Sequence, residues 1–310
     1  MITFPPLSRL VKYVFTGLIF LSGPVFAQDN TVILKKQINH IIDTAGGKFG
    51  VGVEGVDFKA GFMINGNNGY PMQSVFKFPL ALTILHQVDL GKLHLGQQFD
   101  LDKATLDTVA WSPMLKDFPG QYIHINLAQL LSYAVTSSDN NACDFLFKIA
   151  GGPAVIDAYI HASGVKDIAI KFTEGEMAKA WPLQYQNWCK PAAMLQLLQL
   201  LYHQKLLSKA SNNFLIRIMT EVPGWDKRIS ALLPPGTPLI HKTGSSGVNA
   251  RGMLAATNDV GIVTLPDGRH LAIVVFASDY KGPRERGGHI IAVISKQIWN
   301  HYTKIHVLVD

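Results

Sequence analysis

The sequence predicts an α+β fold of three α-β-α layers, in which helices from both chain ends cover an antiparallel sheet and an all-helical subdomain is inserted. Two patterns predict it. Residues near both ends alternate as strands do, whereas the pattern from about residue 70 to 220 is almost entirely helical. The chain therefore leaves the sheet near residue 65 and returns near residue 240. A cleft between the two parts is a natural binding site.

Length and charge limit the classes of protein to which the chain can belong. The 310 residues are 48% hydrophobic and 16% charged, which is a globular composition with enough length for one large domain or two joined ones. The formal net charge is +6, and the basic residues form no run that alternates with aromatic residues. A nucleic-acid partner is therefore not expected.

Residues 1–27 have the pattern of a secretory signal peptide. Arg9 and Lys12 form a basic start, YVFTGLIFLSG is an apolar run, and Val25-Phe26-Ala27 precedes the expected cut. The apolar run is shorter than the roughly 20 residues that span a membrane. We therefore expect cleavage near Ala27 and a secreted or periplasmic protein without a membrane span.

The α/β part is expected in two pieces, residues 28–69 and 220–310. In the first piece, residues 30–45 have helical spacing, and KFGVGVEGVD and AGFMING then alternate as two strands. In the second piece, HKTGSSG opens a strand and PDG indicates a hairpin turn between two β-branched runs. The tail GGHIIAVISKQIWNHY indicates a closing helix. Residues 70–219 form the predicted helical subdomain.

Two cysteines, Cys143 and Cys189, occur in a chain that is expected to enter an oxidising compartment. They can pair, but nothing in the sequence fixes the distance between them, and two buried unpaired thiols are the favoured expectation. The eleven histidines have no carboxylate or thiolate partners at the spacing of a metal site, so no metal ion is expected.

Ser74 and Lys77 lie three residues apart in the apolar run PMQSVFKFPL. At this spacing both side chains lie on one face of a helix. A serine hydroxyl becomes a good nucleophile when a base takes its proton, and an amine buried beside apolar groups can act as that base. The spacing is common by chance, however. Pro79 fits a helix here only if the helix begins near Ser74.

Two further stretches carry polar side chains. The first, Ser138-Asp139-Asn140, lies between two helical patterns, where such residues are ordinary helix caps but can also relay a proton or hold a substrate amide. The second is HKTGSSG. There Lys242 supplies fixed positive charge, Thr243 and Ser245 have hydroxyls spaced to bind a carboxylate, and Gly244 leaves room for another backbone.

Together, and in this order, the three stretches resemble the signatures of the class A serine β-lactamases. The resemblance covers essentially the whole chain after the signal peptide. It implies a five-stranded antiparallel sheet. It also implies hydrolysis of β-lactam antibiotics, penicillins and especially cephalosporins, through an acyl-serine intermediate. This hydrolysis would confer resistance to the antibiotics.

The resemblance implies a role for each catalytic candidate. Ser74 is the expected nucleophile, and either Lys77 or Glu174, acting through water, takes its proton. Ser138 is expected to pass a proton to the leaving nitrogen, with Lys77 and Lys242 close by. The backbone N–H groups of Ser74 and Ser245 are expected to form the oxyanion hole.

Glu174, in the stretch FTEGEMAKAWPLQYQNW, is the candidate that activates the deacylating water, and Glu176 is its rival. Two solvated loop acids are the alternative. Many family members have Asn four residues after this glutamate, where this chain has Ala178. The loop instead resembles that of the PER-like, extended-spectrum branch, as does Gln73. The departure puts the rate of deacylation in question.

Substrate binding is expected around the mouth of the cleft. The β-lactam carboxylate would pair with an arginine, either Arg251 at the common family position or Arg228 at the position of the PER-like branch. Trp111 matches an aromatic residue that stacks on the substrate, although a core tryptophan fits equally well. The other expected binding residues are Asn140, Thr243, Gly244 and Ser245.

The resemblance implies no cofactor, and it implies a monomer whose partners are small β-lactam molecules. The nearest alternative is a penicillin-binding D-alanyl-D-alanine carboxypeptidase, which stalls as an acyl-enzyme. Glu174 and the Ser138-Asp139-Asn140 stretch argue against it. A second alternative is a non-hydrolysing receptor that is only acylated, which would need a membrane-spanning segment.

Overall fold

The structure is a computed structural model that describes Met1 and residues 31–222 and 228–304. The expected signal peptide, including the cut near Ala27, lies outside the described residues. Among the helices that are described, none combines the length and the apolar character needed to cross a bilayer.

Five strands form the main sheet, and their order across it confirms the expected antiparallel fold. The strands are β1 (Lys48–Gly55), β2 (Gly61–Ile64), β8 (Leu239–Ser245), β9 (Met253–Thr264) and β10 (His270–Lys281). Their order is β2-β1-β10-β9-β8, with every neighbouring pair antiparallel. The expected hairpin turn joins β9 to β10, with Gly268 in the left-handed region at φ +86°.

Helices from both chain ends cover one face of this sheet: α1 (Thr31–Asp43) and α10 (Arg284–Lys304). Alternate residues of β10 divide between two hydrophobic clusters, as the two-residue period of a strand requires. The odd-numbered residues 271–275 pack with the terminal helices. The even-numbered residues 272–276 pack with the helices of the inserted segment. The sheet is therefore the middle of three layers.

The inserted segment contains eight further helices in the described residues. They are α2 (Lys77–Asp89), α3 (Pro113–Asp117), α4 (Leu127–Val135), α5 (Asn140–Ala150), α6 (Pro153–Ala162), α7 (Glu174–Ala178), α8 (Pro191–Tyr202) and α9 (Lys209–Thr220). Short 3₁₀ helices span Gln73–Phe76, Lys103–Thr105, Trp181–Tyr185 and Ile229–Leu232.

The same segment also contains short strands, which the sequence analysis missed. Apolar residues of QFDLD and YIHIN alternate, but charged and polar neighbours weaken the pattern. The two stretches pair with each other as a small sheet. The strands are β3 (Tyr70–Pro71), β4 (Gln98–Asp102), β5 (Tyr122–Asn126), β6 (Ile168–Ala169) and β7 (Trp188–Cys189).

Both cysteines are buried and free, which confirms the favoured expectation. Burial raises the pKa of the Cys143 and Cys189 thiols well above the usual value, so both are kept protonated. Each therefore behaves as a small apolar core residue.

Candidate active site

A cleft of about 330 Å³ brings together most of the site candidates. Lys77 and Lys242 are fully buried and bond to side chains in its wall. The residues that line the cleft are Ser74, Trp111, Ser138, Asn140, Glu174, Arg228, Thr243, Gly244, Ser245, Ser246, Gly247 and Arg284.

Ser74 lies in the 3₁₀ helix that leads directly into α2. Because α2 begins at Lys77, Pro79 falls in its first turn, where a missing N–H costs little. The amide of Asn258 donates to the carbonyl oxygens of Pro71 and Met72 at 2.8 and 2.9 Å and holds the chain just before the nucleophile. The helical stretch begins at Gln73, next to Ser74, which confirms the start that Pro79 requires.

Gly244 packs directly against the nucleophile turn. A Cβ atom at this position would lie 2.5 Å from the carbonyl oxygen of Met72 and 3.2 Å from the backbone nitrogen of Ser74. The close approach expected at this glycine is therefore present, and it sets β8 beside Ser74.

Gln73, next to the nucleophile, has a strained backbone for a residue other than glycine, with φ +48°. Its buried side chain donates to Gln184 Oε1 at 2.9 Å. This bond ties the nucleophile turn to the Trp181–Tyr185 helix of the loop that carries Glu174.

Lys77 connects three parts of the site although it is wholly buried. Its Nζ donates to the carbonyl oxygen of Ser138 at 2.8 Å and to Asn140 Oδ1 at 2.7 Å. The same nitrogen lies 3.0 Å from Glu174 Oε1 and 3.5 Å from Ser138 Oγ. The amine is thus fixed among a carboxylate, an amide oxygen and a hydroxyl.

The two candidate glutamates have different partners. The hydroxyl of Ser74 donates to Glu174 Oε1 at 3.1 Å. Glu176 instead accepts from the backbone N–H of Thr173 at 2.8 Å, within the capping box that begins α7. Ala178, at the end of this helix, is exposed. The structure therefore brings Glu174 to the nucleophile and leaves Glu176 as a cap.

Asp144 holds Glu174 in place, which nothing in the sequence analysis anticipated. Its carboxylate accepts from the backbone N–H groups of Glu174 at 2.7 Å and Gly175 at 2.8 Å. Burial raises the pKa of Asp144 to about 6, against the opposing effect of these two N–H groups. The side chain reaches this loop from α5, one turn after Asn140.

Ser138 lies between the two buried lysines. Lys242 Nζ donates to Ser138 Oγ at 3.1 Å and to the carbonyl oxygen of Thr243 at 2.9 Å. The backbone of Ser138 is also in the left-handed region, at φ +56°. Two lysine amines therefore lie close to one hydroxyl that is held in a strained turn.

Asp139 is wholly buried and caps α5, as the cap interpretation predicts. Its carboxylate accepts from the hydroxyl of Ser112 at 3.0 and 2.8 Å, and from the backbone N–H groups of Met114 at 2.8 Å and Ala142 at 2.9 Å. These bonds tie the loop that carries Trp111 to the start of α5.

Trp111 is 52% exposed at the cleft and is therefore not a core residue. Its indole N–H donates to the carbonyl oxygen of Ser137 at 3.0 Å, and its own carbonyl oxygen accepts from the N–H of Asn140 at 2.9 Å. The exposed ring therefore belongs to the wall of the cleft.

The two candidate arginines occupy different positions. Arg228 is only 2% exposed, lines the cleft, and donates to the carbonyl oxygen of Gly244 at 2.9 Å and to Ser245 Oγ at 2.5 Å. Arg251 lies on an exposed turn outside the lining of the cleft. Arg284 lines the cleft as well and donates to the carbonyl oxygen of Ser246 at 2.7 Å. The sequence around it, GPRERGG, gave no sign of this position.

Known proteins resemble this chain over nearly all of its length. VEB-1 β-lactamase of Pseudomonas aeruginosa is 39% identical over 297 residues, which are 95% of this chain and 99% of that protein. The extended-spectrum β-lactamase PER-1 of the same species is 39% identical over 272 residues, or 88% of each chain.

Solved structures resemble it equally closely. A β-lactamase from Chitinophaga pinensis aligns with a TM-score of 0.84 at 46% identity, covering 86% of this chain and 98% of that one. TLA-3 extended-spectrum β-lactamase aligns with a TM-score of 0.86 at 40% identity, covering 88% and 99%.

The sequence profile described as the β-lactamase enzyme family matches residues 33–302. The resemblance to class A and its PER-like branch is thereby confirmed. With the motifs gathered in one cleft, these matches show that the chain belongs to the β-lactamase enzyme family, as a serine β-lactamase of class A.

Proposed function

We propose that this protein hydrolyses β-lactam antibiotics, penicillins and especially cephalosporins, through an ester on Ser74. One observation carries the proposal: the Ser74 hydroxyl donates to Glu174 Oε1 at 3.1 Å, and Lys77 Nζ lies 3.0 Å from the same oxygen. The nucleophilic hydroxyl and the lysine amine therefore meet at one carboxylate oxygen.

Acylation begins when Ser74 Oγ attacks the carbonyl carbon of the strained lactam. Ser74 Oγ lies within hydrogen-bond distance of Glu174 Oε1, so we assign the base in this step to that carboxylate, with Lys77 as the alternative. The backbone N–H groups of Ser74 and Ser245 would hold the oxyanion. Each such donor typically stabilises the transition state by about 2.7–4 kcal/mol.

Ser138 would then pass a proton to the departing ring nitrogen. Its hydroxyl oxygen lies 3.1 Å from Lys242 Nζ and 3.5 Å from Lys77 Nζ. Positive charge on both sides stabilises the oxygen while it gives up its proton. The lactam C–N bond breaks in this step, and the ring-opened product remains attached to Ser74 as an ester. Lys77 Nζ lies between Glu174 Oε1 and Ser138 Oγ and would return to Ser138 the proton that Glu174 took from Ser74, so the carboxylate is free again.

Deacylation follows from the same geometry. Once Ser74 is esterified, its oxygen has no hydrogen to donate, and Glu174 Oε1 can accept from a water molecule instead. Glu174 would take a proton from this water as the water oxygen attacks the ester carbonyl, and would give it to Ser74 Oγ as the ester bond breaks and the ring-opened acid leaves. Asp144 keeps the carboxylate in reach through its bonds to the start of α7.

The substrate would be held by groups around this centre. Arg228, Thr243 and Ser245 line the cleft on the β8 side and can bind the lactam carboxylate. Asn140 and Trp111 line the opposite side, where they would contact the side-chain amide. Arg251 is not assigned to this site, because it lies away from the cleft.

We further propose that bulky cephalosporins are accepted, since the relatives PER-1 and TLA-3 carry the description extended-spectrum. Export with removal of residues 1–27 would place the enzyme where the antibiotic arrives. The subdomain limits at residues 69/70 and 219/220 and the monomeric state also stay predictions.

Turnover of a chromogenic cephalosporin tests the proposal. We expect many turnovers by the wild type, none by Ser74→Ala, and wild-type turnover by Ser163→Ala, whose serine lies at the distant end of α6. A single burst followed by a long-lived adduct in the wild type would instead favour the penicillin-binding carboxypeptidase or the receptor.

A further inference from the structure

We propose that Asp259 is a positioning residue for the recognition of the substrate carboxylate, because it fixes Arg228 against the strand that carries Lys242 and Gly244. The inference rests on the proposed function and deepens it. It concerns a buried carboxylate of β9 that faces away from the nucleophile and has no part in the steps derived above.

Arg228 itself lies directly before a short 3₁₀ helix, and its side chain lines the cleft. Its backbone angles are φ −114° and ψ −82°, and the Ile229–Leu232 helix begins directly after it. The guanidinium donates to the carbonyl oxygens of Gly244 and Asn258 at 2.9 and 2.5 Å. Its other amino group donates to Ser245 Oγ. The charged end is therefore directed along the edge of β8.

Asp259 fixes the base of the same residue. Its Oδ2 accepts from the backbone N–H of Ile229 at 3.0 Å, and this N–H belongs to the peptide that joins Arg228 to Ile229. Its Oδ1 lies 2.9 Å from Nδ1 of His241. One carboxylate thus connects the peptide after Arg228 to His241 of β8, which lies three residues before Gly244.

The burial of this carboxylate indicates a specific role. Asp259 is fully buried and His241 is 6% exposed, so both lie in the low-dielectric interior. An apolar pair of similar volume is often as stable as a buried charged or polar pair, or more so. A polar pair here offers what an apolar pair cannot, which is a directed bond to one peptide N–H.

Register makes the connection direct. Asp259 pairs with Thr243 across β8 and β9, and its neighbour Asn258 pairs with Gly244. The carbonyl oxygen of Asn258 accepts from the guanidinium of Arg228, while the carboxylate of Asp259 accepts from the next peptide. Two consecutive residues of β9 therefore hold the two ends of one arginine, beside the strand that binds the substrate.

The test compares a cephalosporin that has a free carboxylate with the methyl ester of the same compound. We expect Asp259→Leu to raise KM for the acid about tenfold, with little change in kcat and little change for the ester. Asp259→Asn keeps one acceptor oxygen and should fall between the wild type and the leucine variant.

A double-mutant cycle separates positioning from a general effect on the fold. In the Arg228→Ala background, Asp259→Leu should change KM for the acid less than twofold, because there is no guanidinium left to position. The control is Asp57→Leu, which removes another Asp–His contact, 2.7 Å long, at the far end of β10. This control should leave the preference for the acid unchanged.

Equal losses for acid and ester, or full additivity with Arg228→Ala, would overturn the role of Asp259. If the leucine variant does not fold, Asp259→Asn tests the proposal instead. Two quantities are then measured: the ratio of KM for the ester to KM for the acid, and the chemical shift of the backbone amide proton of Ile229. That resonance should move upfield as its acceptor loses charge, and an unchanged resonance with an unchanged preference would contradict the proposal. Absence of turnover by the wild type would instead overturn the proposed function itself.

Discussion

Lys77 Nζ and Glu174 Oε1 lie 3.0 Å apart in the wall of the cleft, and the hydroxyl of Ser74 donates to that same oxygen. Lys77 reaches it from α2 and Glu174 from the loop that begins α7. The contact therefore joins two separate elements at the nucleophile. The loop on which Glu174 lies must be held accurately for the chemistry to proceed, because small displacements of reacting groups cost rate.

The two arginine candidates can be separated by KM. Arg228→Ala removes a guanidinium that lines the cleft, so we expect KM for a carboxylate-bearing cephalosporin to rise about tenfold or more. Arg251→Ala changes an exposed turn and should alter KM less than about twofold. Steady-state kinetics of both variants check this, and the reverse order would assign the carboxylate to Arg251.

The acid limb of the pH profile should depend on Asp144. Its pKa is raised to about 6 by burial, so below this pH the carboxyl takes up a proton and loses acceptor capacity toward the start of α7. We expect wild-type kcat to fall below about pH 6. In Asp144→Asn, which does not ionise, kcat should be lower throughout and the change near pH 6 should be absent. A limb that persists in this variant would assign the titration to another group.

The same shift fixes the sign of a stability effect. The folded-state pKa of Asp144 lies above the usual value of about 3.8 for an aspartate, so the folded protein binds this proton more tightly than the unfolded chain does. Its contribution to stability is therefore present below about pH 4 and is lost as the pH rises through about 6. Urea unfolding at several pH values between about 4 and 6 checks this. The fall in the free energy of unfolding over this range should be smaller in Asp144→Asn than in the wild type.

Gly244→Ala should lower kcat with little loss of fold. The added Cβ would lie 2.5 Å from the carbonyl oxygen of Met72, so β8 and the nucleophile turn must move apart. We expect kcat to fall about tenfold or more, since Ser74 and the oxyanion donors shift together. Gly96→Ala is the matched control, because its Cβ would meet nothing within 4 Å. Equal activity of both variants would contradict the packing argument.

Asp139→Ala should destabilise the protein strongly. The substitution leaves the Ser112 hydroxyl and two backbone N–H groups without their acceptor in a buried site. We expect the free energy of unfolding to fall by about 3 kcal/mol or more, because each buried donor left without an acceptor costs about 1–3 kcal/mol. Asp117→Ala, at an exposed carboxylate bonded to Tyr133, should cost less than about 1 kcal/mol. Urea denaturation measures both.

The sequence allowed the catalytic motifs to be recognised because their chemistry depends on local spacing. Ser74 and Lys77 share one turn, and the stretches at Ser138 and Lys242 are each contiguous. Contacts between distant parts of the chain gave no such signal. Asp144 bonds to Glu174 across 30 residues, and no period or spacing marks that pair.

The choice between Arg228 and Arg251 could not be made from the sequence for the same reason. Arg228 precedes β8 and Arg251 follows it, each at a distance along the chain that allows its side chain to reach the cleft. Only the position of each side chain in the folded protein separates the two candidates. The strands β4 and β5 were missed because QFDLD carries two aspartates, which are depleted in strands. Their pairing with each other, and not local preference, stabilises them.

Intact mass spectrometry of Glu174→Gln mixed with a cephalosporin tests the central claim most directly, which is that Glu174 releases the acyl group from Ser74. Glu176→Gln is the matched control, since that side chain only caps α7. We predict a persistent mass increase of one ring-opened substrate on Glu174→Gln, and no accumulated adduct on Glu176→Gln or the wild type. Rapid turnover by Glu174→Gln without an adduct, or a trapped adduct on Glu176→Gln instead, would contradict the assignment.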